Sequence, residues 1–157
     1  MLFRSSHQAT YRDELTGIPG KVAYDQTVAC LGRKYVLAVA GIDQLKQYGN
    51  QHGKLVSEQM LRLIAPKIMA AAGGGKVHRL AGEEFTTVFP RKTATETLAD
   101  LESIRKAVEE ADLCLRGCER VWERGTTARR KSRDVSLPAT VSIGIAESGD
   151  ARDRKST

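Results

Sequence analysis

The chain has 157 residues, of which 41% are hydrophobic, and it carries a formal net charge of +6. This length is typical of one domain with a substantial core, and no apolar run approaches the roughly 18 residues that a membrane-spanning helix needs. The three cysteines show no disulfide-framework spacing, which favours a reducing cytoplasm, and Cys114 and Cys118 lack the further ligands of a zinc site.

The first half of the chain alternates between helical and strand-like segments. Residues 1–12 are polar, lack the apolar core of a secretory signal and predict a helix that enters from an upstream segment. A turn at 16–20 precedes a helix that ends at Gly32. Residues 35–42 are almost continuously apolar and rich in β-formers, which predicts a strand covered on both faces. The apolar residues of the first helix are Val22, Tyr24, Val28 and Leu31.

Two further helices are predicted after this strand. The first is short, over 43–49, and the second runs from Lys54 to Ala72, where three consecutive glycines stop it. An apolar stripe at helical spacing predicts which face of the longer helix is buried. The residues of this stripe are Val56, Met60, Leu63, Ile64 and Ile68.

The second half of the chain adds a hairpin, a helix and a last strand. The hairpin spans 76–89 around a tight glycine turn, and the helix spans 93–111. A strand at 137–147 then precedes a polar tail at 148–157. The order β-α-α-β-β-α-β predicts the α+β class: one mainly antiparallel sheet with helices packed on it, in a ferredoxin-like arrangement. The residues predicted to point inward from the helix are Leu98, Leu101, Ile104, Ala107 and Val108.

A basic segment at 116–134 separates this helix from the last strand. It ends in "ERGTTARRKSRD" and shows no apolar period, so it predicts a loop. A basic loop can bind nucleic acid or an anionic membrane surface. Its one aromatic residue, Trp122, offers little stacking area for single-stranded bases. A solvated connection is the favoured interpretation, with neither nucleic acid nor a membrane expected as a partner of the chain itself.

The two carboxylates at the tip of the hairpin raise the question of whether the chain binds a metal ion. Glu83 and Glu84 follow a glycine turn and precede the apolar run "FTTVF". Two adjacent carboxylates repel each other, and a hairpin does not need them in order to fold. They could lie in solvent, or they could bind a hard divalent cation through their oxygens. These two residues alone do not decide between the alternatives.

Four segments of the chain carry a family resemblance: "DELTGIPGKVAYD", "AGIDQLKQYGNQHGKLVSEQML", "RLAGEEF" and "VSIGIA". In the same order and with matching element lengths, they resemble the GGDEF domain of diguanylate cyclases. The resemblance identifies 13–147 as a GGDEF-like domain with 116–134 as an insertion, and it leaves the family's final helix without a counterpart in 148–157. It implies a palm-like fold in which two facing domains each present one GTP and join the two into cyclic di-GMP.

The resemblance also implies roles for particular residues. Glu83 corresponds to a ligand of Mg²⁺ or Mn²⁺, Glu84 is its neighbour in the catalytic motif, and the backbone carbonyl of Ile42 is a further metal ligand. Such metals neutralise phosphate charge and lower the pKa of the attacking ribose hydroxyl. The residues that correspond to nucleotide-binding positions are Lys46, Asn50, Glu58 and Gly82.

Several family positions are lost in this chain. Gly41 stands where the family has its second metal carboxylate, and Asp43, two residues further on, is not expected to replace it. Gly49 stands in place of the Asn that reads the guanine edge, and Ala81 in place of the first glycine of the hairpin motif. The family's inhibitory product site would lie at 72–75, which read Ala-Gly-Gly-Gly, so feedback binding of cyclic di-GMP there is not expected.

These departures predict a degenerate GGDEF domain of a bacterial cyclic di-GMP signalling protein, with little or no cyclase activity and weak residual binding of GTP or metal. Two alternatives stay open: a non-catalytic dimerisation or signal-transmission module, and an active cyclase whose full-length protein supplies the missing helix. The implied partners are GTP, a second copy of the chain and an upstream sensor domain. The implied location is the cytoplasm, including the cytoplasmic output end of a membrane-anchored receptor.

Two residues next to the hairpin tip carry separate expectations. None of the three histidines is expected to be a ligand, and His78 is expected at the surface or the sheet edge because it lies in an alternating strand. Arg79 is expected to support the fold or the electrostatics of the site, by holding Glu83 or Glu84 ionised.

Overall fold

The computed structural model describes residues 11–115 and 135–149, which form four helices and six strands. The helices are α1 (Lys21–Ala29), α2 (Leu45–His52), α3 (Lys54–Ala71) and α4 (Ala94–Glu109). The strands are β1 (Tyr35–Ile42), β2 (Lys76–His78), β3 (Glu84–Pro90), β4 (Leu113–Leu115), β5 (Val135–Leu137) and β6 (Val141–Glu147). The expectations for the entering helix up to residue 10, the basic segment, Cys118 and the tail from 150 onward fall outside the described residues.

The main sheet has four strands in the order β2-β3-β1-β6, and each neighbouring pair is antiparallel. The α+β class and the mainly antiparallel sheet are therefore confirmed. The predicted β-α-α-β-β-α-β order is also found, because β1 is followed by two helices, the hairpin, α4 and β6. The central strand β1 lies between the hairpin and β6, so its end is next to both.

A second, two-stranded sheet was not predicted. Strands β4 and β5 pair antiparallel, with Leu115 opposite Val135. Each has three residues, too few for a period-2 pattern to be recognised. This pairing brings Leu115 and Val135, the described residues on either side of the basic segment, opposite each other.

One face of β1 forms the centre of the core. Its alternate residues from Val36 to Ile42 are at most 4% exposed, and they share one core cluster with apolar residues of α3 and α4. The predicted stripe of α3 is confirmed, since Met60, Ile64 and Ile68 are fully buried. The other face of β1 is less covered than predicted, because Val39 is 38% exposed. On that side α1 packs against β2 at the sheet edge, through the contact between Thr27 and His78.

The predicted end of the first helix and the predicted buried face of α4 need correction. In α1, Val22 and Val28 are each 37% exposed, and the helix ends at Ala29, before Leu31. In α4, Leu98 is 55% exposed, whereas the preceding Thr97 is fully buried. The buried side chains of α4 fall at 97, 101, 104 and 108, which follow the helical repeat, and Leu98 is one residue out of that phase. The hydroxyl of Thr97 donates to the carbonyl of Ala94, so the core accepts it without an unpaired polar atom.

His78 lies on β2, the edge strand of the main sheet, which is one of the two expected positions, but it is buried and not at the surface. It is 3% exposed; its Nε2 lies 3.2 Å from the hydroxyl of Thr27, and its ring meets Tyr24 edge-on at 5.6 Å between centroids. Burial lowers the pKa of His78 below the usual histidine value, which keeps the ring neutral at pH 7. The sequence places His78 on a strand, but only the packing of α1 over that strand removes it from water.

The glycine turn after α3 is a tight packing element. Gly73 has φ of +58°, a left-handed conformation that other residues adopt only with strain. A Cβ at Gly75 would lie 2.5 Å from Cγ2 of Thr87 and 2.6 Å from Cε1 of Phe89. Side chains of β3 therefore pack directly against the turn, and they leave no room for an acidic side chain at position 75.

We expect Gly75→Ala to lower the free energy of unfolding by about 1–3 kcal/mol, because the added methyl group overpacks a buried contact. Gly74→Ala is the matched control, since a Cβ at Gly74 would meet only the end of the Lys92 side chain, at 3.8 Å. Urea unfolding of the two variants measures the difference. Equal stability of the two variants would show that the turn is not packed as described.

Candidate functional site

The end of β1 meets the tip of the hairpin. Gly41 lies opposite Glu84 in the register, and the backbone N–H of Ile42 donates to the carbonyl of Glu83 at 3.3 Å. Gly82 turns the chain at the tip with φ of +63°, and Glu83 is half-buried while Glu84 is exposed. The backbone thus brings positions 41, 42, 83 and 84 together, as the resemblance implies for the metal-binding corner.

Position 41 itself contributes no side chain to this corner. A Cβ built on Gly41 would meet no atom within 4 Å, and its φ lies outside the positive range that favours glycine. Neither crowding nor backbone strain therefore requires a glycine at this position. An acidic side chain could be placed here without disturbing the fold.

Asp43 is held on the opposite side of β1 from the hairpin. Its carboxylate accepts hydrogen bonds from the hydroxyls of Thr140 at 2.9 Å and Ser142 at 2.8 Å, and its N–H donates to the carbonyl of Thr140. These partners lie on β6 and on the residues that lead into it. Both carboxylate oxygens of Asp43 are engaged there, so Asp43 does not take the place of the carboxylate missing at Gly41.

The residues at this corner do not form a complete metal site by themselves. Among the described residues, no group of three acidic, histidine or cysteine side chains is arranged to hold a metal ion. The available donors are the carboxylate of Glu83 and the carbonyl of Ile42, with Glu84 beside them. Mg²⁺ commonly binds through one or two carboxylates together with the phosphates of a substrate. This donor set therefore fits a cation that arrives with a polyphosphate, and does not fit a resident ion held by protein alone.

Arg79 binds Asp13 and not the two glutamates of the tip. Its guanidinium lies 2.6 Å from the Asp13 carboxylate and donates to the carbonyl of Gly82 at 2.7 Å. The Arg79 side chain is 10% exposed and that of Asp13 is 20% exposed. The expected ion pair with Glu83 or Glu84 is not formed, because the turn at 13–18 places Asp13 within reach of the guanidinium first.

Thr16 and Arg79 together stabilise the ionised form of the Asp13 carboxylate. Burial alone would raise the pKa of the Asp13 carboxyl, but hydrogen bonds from Thr16 and from Arg79 outweigh it and lower the pKa below its usual value. Thr16 donates through both its hydroxyl, at 2.6 Å, and its backbone N–H, at 2.9 Å. Asp13 therefore stays ionised at neutral pH and fixes Arg79 beneath the tip of the hairpin.

The remaining positions that the resemblance relates to the nucleotide lie on α2 and the start of α3. Lys46 and Asn50 are exposed on α2, and Glu58 lies in the first turns of α3, with its carboxylate 3.6 Å from the ammonium of Lys54. Within the described part of the chain, no hydrogen bond or ion pair joins these three side chains to the hairpin tip. Gly49 faces Ser57, a residue to which the sequence analysis gave no role.

None of the helices that the structure describes combines the length and the hydropathy needed to cross a membrane.

The family model described as "Diguanylate cyclase, GGDEF domain" matches residues 10–155. Among curated proteins, the chain is similar to the diguanylate cyclase VdcA of Vibrio cholerae, with 28% identity over 139 residues. It is also similar to the probable diguanylate cyclase DgcI of Escherichia coli, with 26% identity over 103 residues. These alignments cover 86% and 64% of the chain but only 37% and 23% of the relatives, so the chain spans a minor part of the length of either protein.

Solved structures show the same fold. The GGDEF domain of DgcB from Caulobacter crescentus, determined in complex with c-di-GMP, is 28% identical and superposes with a TM-score of 0.66; the match covers 87% of the chain and 77% of that structure. The diguanylate cyclase SiaD of Pseudomonas aeruginosa, in complex with its activator SiaC, superposes with a TM-score of 0.72 at 23% identity. This second match covers 98% of the chain and 56% of SiaD, and at that identity it concerns the fold alone.

Proposed function

Because the chain belongs to the GGDEF domain family of diguanylate cyclases, we propose that it is a degenerate cyclase domain in cyclic di-GMP signalling. In this proposal it binds GTP weakly with Mg²⁺ or Mn²⁺ and makes little or no cyclic di-GMP. The observation that supports this proposal is the lack of a carboxylate at Gly41, where β1 meets the hairpin tip. The register places Gly41 opposite Glu84, yet no carboxylate projects from position 41, and Asp43 is bound on the β6 side.

The chemistry of the family shows why this corner matters. Cyclic di-GMP forms when the 3′-hydroxyl of each of two GTP molecules attacks the α-phosphate of the other, with loss of two pyrophosphates and two protons. Bound cations stabilise the negative charge that develops on the phosphate. We estimate that losing one of two metal carboxylates removes about 3–5 kcal/mol of this stabilisation. At about 1.4 kcal/mol per factor of ten, the rate falls by roughly 100-fold to several thousand-fold.

The groups that remain favour binding over catalysis. Glu83 and the carbonyl of Ile42 offer two oxygen donors to a cation that bridges phosphate oxygens, and the exposed ammonium of Lys46 can attract the phosphates. Such a site would hold a metal–triphosphate complex weakly. A cyclase also needs a second GTP on a facing domain, so a second copy of the chain is part of the proposal for any residual activity. The relatives are much longer than this chain, and we propose an upstream sensor domain as its source of signal.

We expect 1 mM GTP with Mn²⁺ to raise the melting temperature of the parent chain by about 3 °C, as a ligand of roughly 0.1 mM affinity would. Glu83→Ala should abolish this shift because it removes the one carboxylate assigned to the cation. Glu110→Ala, which removes an exposed carboxylate at the end of α4, is the matched control and should keep the shift. A shift that persists in Glu83→Ala would place the nucleotide elsewhere.

A second function, signal transmission without nucleotide binding, is favoured by the contacts of Arg79. This side chain joins Asp13, in the turn that precedes α1, to the carbonyl of Gly82 at the hairpin tip. A displacement of the chain before Asp13 would be passed directly to the tip. The absence of any melting-temperature shift with GTP and Mn²⁺ in the parent would favour this function over the weak nucleotide site.

A further inference from the structure

The helices α2 and α3 approach each other closely at Gly49 and Ser57. A Cβ built on Gly49 would lie 3.3 Å from Oγ of Ser57 and 3.5 Å from its Cβ. The first distance is shorter than an ordinary van der Waals contact. A side chain at position 49 would therefore crowd the Ser57 hydroxyl, which would have to shift by a few tenths of an ångström to admit it.

Moving Ser57 out of this contact would cost free energy. Its hydroxyl donates to the carbonyl of Lys54 at 2.7 Å, within the first turn of α3. The two helices are joined by the single residue Gly53, whose φ of +96° restricts the position to glycine and whose N–H donates to the carbonyl of Gly49 at 2.9 Å. This short connection fixes the angle between α2 and α3 and keeps Ser57 facing Gly49.

Glycine is otherwise a poor residue for the interior of α2, because it is the least favourable helix former after proline. The close approach of Ser57 provides a reason for it. Positions 49 and 57 thus form a complementary pair, in which the small residue on α2 accommodates the hydroxyl on α3.

We propose that Ser57 crowds any base-reading side chain at position 49, so that the site binds a metal–polyphosphate group without selecting the base. This inference rests on the proposed function, which places the phosphates at Glu83 and Lys46. A base edge is selected by paired hydrogen-bonding groups. Position 49 has no such side chain, and the carboxylate of Glu58 faces the ammonium of Lys54.

The crowding of position 49 by Ser57 is tested first without any ligand, by a double-mutant cycle in melting temperature. Gly49→Ala should gain nothing in the parent, because improved helix propensity is offset by crowding against Ser57. In the Ser57→Gly background the same change should raise the melting temperature by about 2–4 °C. Equal effects of Gly49→Ala in both backgrounds would overturn the proposal.

The base selectivity is tested by the affinities of GTP, ATP and inorganic tripolyphosphate, each with Mn²⁺. In the parent, the three dissociation constants should agree within about threefold, because only phosphates are recognised. In Gly49→Asn/Ser57→Gly, GTP should bind about tenfold more tightly than ATP, as one recovered hydrogen bond allows. Gly49→Asn alone should show less selectivity than the double variant, because Ser57 still occupies the space.

A parent that prefers GTP over tripolyphosphate by tenfold or more would overturn the proposal, and so would full selectivity in Gly49→Asn alone. If none of the three probes binds the parent, the weak metal–triphosphate site of the proposed function is wrong. The ligand-free cycle still decides whether Ser57 crowds position 49 in that case, because coupling between positions 49 and 57 supports the crowding and additivity contradicts it.

Discussion

Replacing Arg79 by alanine is expected to cost about 2–3 kcal/mol of unfolding free energy, somewhat less than breaking a fully buried ion pair, because Asp13 keeps partial contact with water. The variant leaves the Asp13 carboxylate without its cation and the carbonyl of Gly82 without its donor. Urea unfolding at pH 7 measures the loss. Arg33→Ala, which removes an exposed arginine, is the control and should change stability by less than about 0.5 kcal/mol.

The pKa of Asp13 determines how the stability loss in Arg79→Ala changes with pH. The pKa of Asp13 is lowered in the folded chain, so its ion pair stabilises the fold fully at pH values above the ordinary aspartate pKa of 3.8. That contribution is lost as the pH falls through the lowered pKa. The stability difference between parent and Arg79→Ala should therefore be largest near neutral pH and should shrink below about pH 4. A difference independent of pH would mean that Arg79 acts through packing and not through Asp13.

The second large effect is expected on the affinity for Mn²⁺ when a carboxylate is restored at position 41. We expect Gly41→Asp to raise the affinity for Mn²⁺ about tenfold, because it adds a carboxylate at the end of β1, opposite Glu84 and next to the residue whose N–H binds the Glu83 carbonyl. The space at position 41 is open, so the fold should not suffer. Isothermal titration with Mn²⁺ measures the affinity.

Gly144→Asp is a matched control for this substitution. Gly144 is also a strand glycine with open space around it, but it lies on β6, opposite Val39, which is two residues before Gly41 on β1. This variant adds the same charge to the sheet without adding it at the hairpin, and its Mn²⁺ affinity should stay that of the parent. A gain of equal size in both variants would reflect net charge alone and would contradict the assigned corner.

The parts of the fold with a long apolar signal were predictable from the sequence. The strand at Tyr35–Ile42 and the helix from Lys54 follow continuous hydrophobic patterns, and the structure has both at the predicted places. The hairpin was predictable because a glycine turn separates its two strands. Three-residue strands such as β4 and β5 give no comparable pattern, so the second sheet was missed.

Contacts between residues far apart in the chain account for the other differences. Arg79 and Asp13 are separated by 66 positions, and no local pattern shows that the turn before α1 folds beneath the hairpin. The burial of His78 likewise depends on α1, which covers the strand from a distant part of the sequence. Ser57 was overlooked because its effect arises only from the angle between α2 and α3.

The family motifs predicted more of the candidate site than hydrophobic periodicity did. They predicted that position 41 would meet the hairpin tip, and the register of β1 and β3 has Gly41 opposite Glu84. They could not predict that Asp43 is hydrogen-bonded to Thr140 and Ser142, because that depends on where β6 joins the sheet. The roles assigned to Glu83, Lys46 and Glu58 stay predictions until metal and nucleotide binding are measured.

Chromatographic analysis of products from GTP, with Mg²⁺ and Mn²⁺ titrated, tests the degenerate-cyclase proposal most directly. The parent chain should form no detectable cyclic di-GMP, and Gly41→Asp should not restore full activity because Gly49 still lacks a side chain for the base. Robust cyclic di-GMP from the parent that disappears in Glu83→Ala would contradict the proposal and identify the chain as a working cyclase.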